Sequence, residues 1–315
     1  METNFNELIG KNVVSAKKLS GGVNNPTYKL ICEDNSKYIL QFSGDKFPDK
    51  AIKQPLIVNL LKEKTNLPIA NIIKSDTTKK VIDKDYIILE FVDGHLLKNI
   101  SEEFTNKEII KLYQDIAKYL SSLHSVRLEY FGDFVVEDNS LKIDPKYHSA
   151  REQIYEKYRS WINKAKNTPF EHFIPDLRGW LKTNINVFED DIKPCLTHND
   201  FSNTNLLVLN DGTISAVIDL DNVSAGNNVA DIYRIYANFN NDKKELALKT
   251  FFENYRVKLP RNFEKQIQFY DKTHVLAYID CWNQILNSYS KEELEKMIKK
   301  MNKDIANLLN TKIYQ

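Results

Sequence analysis

Cysteine is scarce in this chain: Cys32, Cys195 and Cys281 are odd in number and far apart along 315 residues. They form no disulfide framework, and with no Cys-rich ligand set or His-x-x-x-His pattern beside them they suggest no zinc site. Long apolar runs are missing as well. No uninterrupted stretch approaches the roughly eighteen residues a membrane-spanning helix needs. The N-terminus, Met1-Glu2-Thr3-Asn4-Phe5-Asn6-Glu7, lacks the basic start and apolar run of a secretion signal. Net charge is almost absent too, with 44 basic against 43 acidic side chains, interleaved along the chain. Neither a nucleic acid nor an anionic membrane is therefore expected as partner. The six histidines are scattered, which argues against a metal-dependent hydrolase. No repeat or low-complexity tract is visible, and a reducing cytoplasm is the expected location.

What is present is the composition of a soluble globular enzyme, 42% hydrophobic and 28% charged, long enough for one large or two closely packed domains. The first ninety residues carry strand-like runs: Val13-Val14-Ser15-Ala16, Thr27-Tyr28-Lys29-Leu30-Ile31 and Lys37-Tyr38-Ile39-Leu40-Gln41-Phe42. A turn with two glycines, Ser20-Gly21-Gly22-Val23-Asn24-Asn25-Pro26, separates the first two. From Pro48 to Lys64 the period becomes helical, with Ile52, Leu56, Leu60 and Leu61 on one face and Pro68 as the stop. The run Tyr86 to Val92 returns to strand and ends at the turn dipeptide Asp93-Gly94, where a domain boundary is placed.

Beyond Gly94 the pattern predicts helices over Asn106 to Ser125, His148 to Ala165, Ile174 to Val187, Lys243 to Arg256, Asn262 to Ser288 and Ser290 to Asn310. The last opens on Ser290-Lys291-Glu292-Glu293, a capping-box start. Only 194 to 224 interrupts them. There Asn205 to Leu209 and Thr213 to Ile218, joined by Asn210-Asp211-Gly212, predict a β-hairpin. Phe131-Gly132-Asp133-Phe134 reads as an ordinary turn. The fold class is thus α+β, with a β-rich unit over 1–93 and a mainly helical unit over 94–315.

The chemistry concentrates in Leu196-Thr197-His198-Asn199-Asp200-Phe201-Ser202-Asn203-Thr204-Asn205 and, across the hairpin, Val217-Ile218-Asp219-Leu220-Asp221. Short acidic and amide side chains at one end of a hairpin suit oxygen-ligated Mg²⁺, which takes one or two carboxylates and completes its shell with waters and phosphates. Phosphoryl transfer needs an in-line nucleophile, a proton acceptor beside it and neutralised phosphate charge. Asp200, Asn205 and Asp219 stand in the order that supplies an orienting carboxylate, a metal-binding amide and a metal-bridging carboxylate. An isolated Asp-x-x-x-x-Asn is common in loops; the ensemble with His198 and Ile218-Asp219-Leu220-Asp221 is specific.

These segments resemble the catalytic loop and metal-binding segment of the aminoglycoside phosphotransferase and choline kinase family, and the likeness extends over nearly the whole chain. The resemblance implies a protein-kinase-like two-lobed fold, ATP or GTP with Mg²⁺ as cofactors, and a small hydroxylated molecule as substrate. It implies Asp200 as catalytic base, Asn205 and Asp219 as metal ligands, and His198 as organiser of the loop. Ser20, Gly21, Gly22 and Asn24 fall in its nucleotide-positioning loop. Glu90 and Val92 fall in its hinge, where backbone atoms would meet the purine edge. His124 is read as packing or capping, and Asp231 as support for the catalytic loop.

The chain departs from the family at one place. Gln41 stands in the third strand where a Lys or Arg normally neutralises phosphate, and Gln54 stands where that cation's Glu partner normally sits. Two amides can hydrogen-bond to each other, but a neutral contact is worth about half a charge-assisted one. Lys46, Lys50 or Lys53 could restore the charge. A nucleotide-binding pseudokinase with little turnover is therefore the second reading; protein kinase activity is a third, weakened by the short segment after Asp219 and the absence of an Ala-Pro-Glu sequence. For the acceptor, Asp221, Asp271 and Asp280 would suit a cationic antibiotic. Tyr233, Tyr236, Tyr270, Tyr278 and Trp282 would suit a choline-like ammonium, although aromatics at helical spacing are more often core. Sugar-like alcohols stay open, and the oligomeric state is not readable.

Overall fold

A computed structural model of the chain describes residues 4–19, 26–44, 46–189, 192–237 and 242–313. The alternating N-terminal runs pair as antiparallel sheet. After the short helix α1 (Phe5–Ile9) come β1 (Val13–Lys18), β2 (Thr27–Cys32), β3 (Lys37–Phe42), helix α2 (Lys50–Lys64), β4 (Ile72–Asp76) and β5 (Tyr86–Glu90), in spatial order β1-β2-β3-β5-β4. Period-two alternation sends Leu30, Leu40, Phe42, Tyr86 and Ile88 to one face, where they form a small core with Leu8 of α1. Full burial of such a side chain contributes about 1.5–3 kcal/mol. Expected helix 48–64 begins two residues late and stops at Lys64, before Pro68, because Thr65 is extended.

The chain then crosses directly into the second region. There β6 (His95–Leu96) precedes α3 (Leu97–Ile100) and α4 (Asn106–Ser125), and β7 (Gly132–Glu137) and β8 (Ser140–Ile143) precede α5 (Ala150–Asn163) and α6 (Ile174–Asn184). Next come the short strands β9 (Cys195–Thr197), β10 (Leu206–Val208), β11 (Ile214–Val217) and β12 (Ser224–Gly226). Helices α7 (Val229–Ala237), α8 (Lys244–Asn254), α9 (Phe263–Asp280), α10 (Trp282–Leu286) and α11 (Lys291–Leu309) close the fold. The result is a β-sheet N-terminal region and a mainly helical C-terminal region, the α+β class expected. Helices α4 and α11 both open on complete capping boxes, Thr105 with Glu108 and Ser290 with Glu293.

Two expectations need correction. Phe131 to Phe134 is not an ordinary turn: Gly132, Asp133 and Phe134 open strand β7, which pairs with β8 and β12. Gly132 sits at φ +151°, and a Cβ there would collide with the Pro145 carbonyl, so the glycine serves close packing at a strand edge. The expected single helix 262–288 is broken at Cys281 into α9 and α10.

The largest core couples the two regions. Ile57, Val58 and Leu61 of α2 join Leu112, Ile116 and Leu120 of α4 and Leu206, Val208, Ile214 and Val217 of the β10–β11 hairpin in one apolar cluster. The Val217 N–H donates to the Pro68 carbonyl at 2.7 Å. Helix α2 is thereby fixed to the hairpin that carries the acidic residues. No helix among the described residues is long and apolar enough to cross a membrane.

Candidate active site

Asp231 is the anchor of the loop that follows β9. Its carboxylate is fully buried and accepts the backbone N–H of His198 at 2.8 Å and of Asn199 at 2.6 Å. His124, arriving from α4, meets the same carboxylate through Nε2 at 3.0 Å and the Tyr255 hydroxyl through Nδ1 at 2.8 Å, while Asn228 Nδ2 donates to that hydroxyl at 3.0 Å. A neutral imidazole with its proton on Nε2 satisfies the chain Asn228 to Tyr255 to His124 to Asp231 with every donor meeting an acceptor. His124 is thus neither a cap nor simple packing.

The loop itself is shaped by local chemistry. Asn199 adopts φ 62°, a left-handed conformation that Asn tolerates well, and its side-chain amide is held by Thr197, Ser224 and the Asn222 carbonyl. His198 Nε2 lies 3.1 Å from the Ile218 carbonyl, and its Nδ1 accepts the Asp200 N–H at 3.3 Å, so one buried ring ties the loop to the end of β11.

Asp200 is left partly open, its side chain 28% exposed. Asn205 Nδ2 donates to Asp200 Oδ2 and to its carbonyl, both at 2.9 Å. Because both partners are acceptors, the amide orientation is fixed by the network, and Asn205 Oδ1 is the atom that faces away. Arg234 Nη2 lies 3.4 Å from Asp200 Oδ1. The sequence reading missed Arg234; its signal was present in its spacing, since it stands three residues after Asp231 and so one helical turn along α7.

Across the hairpin, the Ile218 N–H donates to the Asn205 carbonyl at 2.9 Å, which brings the next residue, Asp219, beside the loop. Asp219 adopts φ 61° and is exposed. Desolvation by the surrounding protein pushes its pKa up, and the Asp221 carboxylate adds to that; Lys50 and His198 act in the opposite direction. Asp221 itself is covered, bonded at 2.6 Å to Lys50 Nζ from the first turn of α2, with side-chain exposures of 3% for Lys50 and 4% for Asp221.

This donor set fits Mg²⁺. Asn205 offers an amide oxygen and Asp219 an exposed carboxylate, the hard oxygen donors that this ion takes. Among the described residues no group of three or more His, Cys, Asp or Glu side chains is placed to hold a metal. The remaining ligands would come from phosphate and water, as is usual for this ion.

The other expected contacts are distributed as follows. Ser20, Gly21, Gly22 and Asn24 lie outside the described residues. Gln41 on β3 and Gln54 on α2 each bury a side-chain carbonyl oxygen that has no hydrogen-bond partner, so the mutual amide bond expected between them is not formed. The Glu90 N–H is taken by the Asn71 carbonyl at 3.0 Å and its carboxylate by the Asn71 N–H and side-chain amide. Val92 follows β5, half-buried. Tyr233 and Trp282 are core residues, 6% and 3% exposed, against Tyr270 and Phe170 respectively. Both sit on inward helix faces and have little surface to offer an acceptor. Beside Asp200 stands Arg234, and the charges of Arg234, Asp271 and Asp200 all act on His274 of α9. Desolvation first, then the Arg234 guanidinium, hold the His274 imidazole below its ordinary pKa.

The model of the Phosphotransferase enzyme family (APH) matches residues 15–265. The fold is similar to that of APH(2")-IIa in complex with gentamicin, at 18% identity, with 98% of this chain and 95% of that chain covered and a TM-score of 0.67. It is similar to ADP-bound aminoglycoside phosphotransferase APH(2'')-Ib at 18% identity, 98% and 96% coverage and TM-score 0.66. Macrolide 2'-phosphotransferase MphH from Brachybacterium faecium follows at 12% identity, 99% coverage of each chain and TM-score 0.58. At such identities the likeness is one of fold. Among curated proteins, "Probable acyl-CoA dehydrogenase IBR3" of Arabidopsis thaliana is 25% identical over 231 residues, 67% of this chain and 26% of that protein. The chain spans about a quarter of the length of that relative, whose name therefore carries nothing to this chain.

Proposed function

Since the chain belongs to the Phosphotransferase enzyme family, we propose that it transfers the γ-phosphoryl group of ATP or GTP to a hydroxyl of a small polar molecule, with Asp200 as general base. The observation that carries this reading is the constellation at the hairpin end: an Asp200 carboxylate oriented by Asn205, faced by Arg234, and beside Asp219. In the transfer, the acceptor oxygen forms a bond to the γ-phosphorus, the bond from phosphorus to the β–γ bridging oxygen breaks, and Asp200 takes the hydroxyl proton. Asn205 Oδ1 and Asp219 would hold Mg²⁺, which supplies charge neutralisation to the phosphate oxygens. Arg234 stands where it can stabilise charge on the transferred group while keeping the base in place. The hinge between the two regions is assigned to residues 91–94, with the Glu90 carbonyl and Val92 at the purine edge.

The acceptor is read as a hydroxyl-rich compound rather than a choline-like ammonium. Of the rings an aromatic box would need, Tyr233, Tyr270 and Trp282 are packed in the core and Tyr236 is half-buried, leaving Tyr278 exposed, while Arg234 sets a cation beside Asp200, which suits a hydroxyl-rich acceptor better than an ammonium. Aminoglycoside phosphotransferase APH(2'')-Ib and macrolide 2'-phosphotransferase MphH carry these acceptor classes in their names, and the two classes head the panel to be tried. The test is Mg²⁺-dependent consumption of ATP or GTP over aminoglycosides, macrolides, sugars and amino alcohols, followed in wild type and Asp200→Asn. Turnover with one acceptor class and its loss in the variant, with nucleotide binding kept, is the expected result. Undiminished turnover in Asp200→Asn would remove the base assignment. The second reading, binding with little turnover, draws on Gln41 and Gln54, and would be favoured by nucleotide binding without consumption on the whole panel.

A further inference from the structure

We propose that Lys50, the first residue of α2, is the cation that neutralises the nucleotide phosphates, and that Asp221 holds it in position for that task. The inference rests on the kinase reading above. It starts from a deficit: β3 offers only the neutral Gln41 and the middle of α2 only the neutral Gln54, each with a buried carbonyl oxygen left unpartnered. An amide can donate an N–H to a phosphate oxygen but brings no charge, so these two leave the negative charge of a triphosphate unneutralised.

Lys50 lies four residues before Gln54, one helical turn nearer the acidic hairpin and on the same face of α2. Its ammonium is 2.6 Å from Asp221 Oδ1, and both side chains are almost completely buried. Taking two charges out of water costs about what their attraction returns, so a buried pair of this kind is poor evidence of a device for stability. Its position supplies another reason for it. Asp221 is two residues beyond Asp219 on the segment that follows β11, so the ammonium bound to Asp221 lies at the same end of the hairpin as the carboxylate assigned to the metal. The other two lysines considered for this role are elsewhere: Lys46 reaches Asp280 at 3.4 Å, and Lys53 is half-buried further along α2. Lysine is a common phosphate binder as a compact point charge on a flexible stem. A one-turn shift along α2 thus keeps a cation in the site after the usual strand position has lost it.

The competing role for Lys50 is a structural tie between α2 and the hairpin, and the experiment must separate the two. Equilibrium binding of ADP and GDP with Mg²⁺, and of adenosine and guanosine, is measured by calorimetry for wild type, Lys50→Met, Lys50→Arg, and the double variant Lys50→Met/Asp221→Asn, which leaves no stranded carboxylate. The expected result is a loss of about tenfold to a hundredfold in diphosphate affinity for Lys50→Met and the double variant. Nucleoside affinity stays within about twofold, and Lys50→Arg recovers most of the loss. Adding Gln41→Lys to the double variant restores diphosphate affinity. Diphosphate affinity unchanged in both neutral variants, or an equal loss for diphosphate and nucleoside, overturns the assignment of Lys50 and leaves the kinase reading standing. Wild type that binds neither nucleotide removes both.

Discussion

The β10–β11 hairpin with its preceding loop and the β3–α2 unit share an apolar core and are tied by the Lys50–Asp221 ion pair, yet they carry their polar groups in different ways. In the hairpin region the groups expected from the local pattern stand together: Asp200 is clamped by Asn205, and Asp219 follows directly from the Ile218–Asn205 backbone bond. In the β3–α2 unit the expected ion pair is replaced by two amides, and the positive charge sits one turn away. The difference teaches that a base must be placed to within a fraction of an ångström of the hydroxyl it serves, which ties it to one residue. A cation acting on a polyanion through Coulomb attraction can move several ångströms and still serve.

The sharpest way to break this comparison is to neutralise one group on each side. Asp200→Asn should lower kcat by a factor of about 10² to 10⁴, the usual worth of a general base. Gln41→Ala should change the nucleotide KM by no more than about threefold, because the amide it removes carries no charge. Steady-state kinetics on both variants decide the matter, and losses of equal size would erase the distinction between the two regions.

The next effect is on stability. Asp231→Ala strips three partners at once, the buried N–H of His198 and the buried His124 ring together with the partly buried N–H of Asn199. Leaving such donors unsatisfied costs about 2–4 kcal/mol, and urea unfolding should show it as a lower midpoint with an unchanged slope. The pair Lys50→Met/Asp221→Asn removes a buried ion pair as a unit and should cost less than about 1 kcal/mol. A double variant as unstable as Asp231→Ala would make the pair structural after all.

Arg234→Gln falls lower on the scale, with kcat expected to drop by about tenfold and little change in Tm, since its side chain is 28% exposed and serves the cleft rather than the core. An unaltered kcat would take Arg234 out of the transfer step. This residue also marks the limit of what could be read from the chain alone. The hairpin was legible because its information is local: an apolar run, Asn210-Asp211-Gly212, and an Asp and Asn five residues apart. The capping box at Ser290 and Glu293 fixed the start of α11 for the same reason. Arg234 needed the phase of α7 relative to Asp231, which becomes meaningful only once Asp231 is known to face the loop. The partnership of Lys50 and Asp221 spans 171 residues, and no local pattern encodes it. Strands β9 and β12, three residues each, are too short to display alternation, and β7 was hidden by a Gly-Asp pair that ordinarily signals a turn.

The smallest effect concerns Asp219, and its sign separates the two regions once more. Burial and Asp221 raise the Asp219 pKa above the ordinary 3.8. The folded protein therefore holds this proton more tightly than the unfolded chain, and the resulting stabilisation is present at acid pH and lost as pH rises through the raised value. At neutral pH the ionised carboxylate is a cost, which a bound divalent cation would offset. Asp219→Asn should remove that cost, raising the Tm of the ligand-free protein by about 1–3 °C near pH 7. The gain should fade as pH is lowered toward the ordinary carboxylate range. With Mg²⁺ and ADP the order should reverse, because wild type gains ligand stabilisation that the variant cannot. Thermal melts at several pH values, with and without the ligands, test both halves. A variant less stable than wild type in the absence of ligand would mean that Lys50 and His198 already neutralise Asp219, and that the hairpin, like the β3–α2 unit, has its charges balanced before any phosphate arrives.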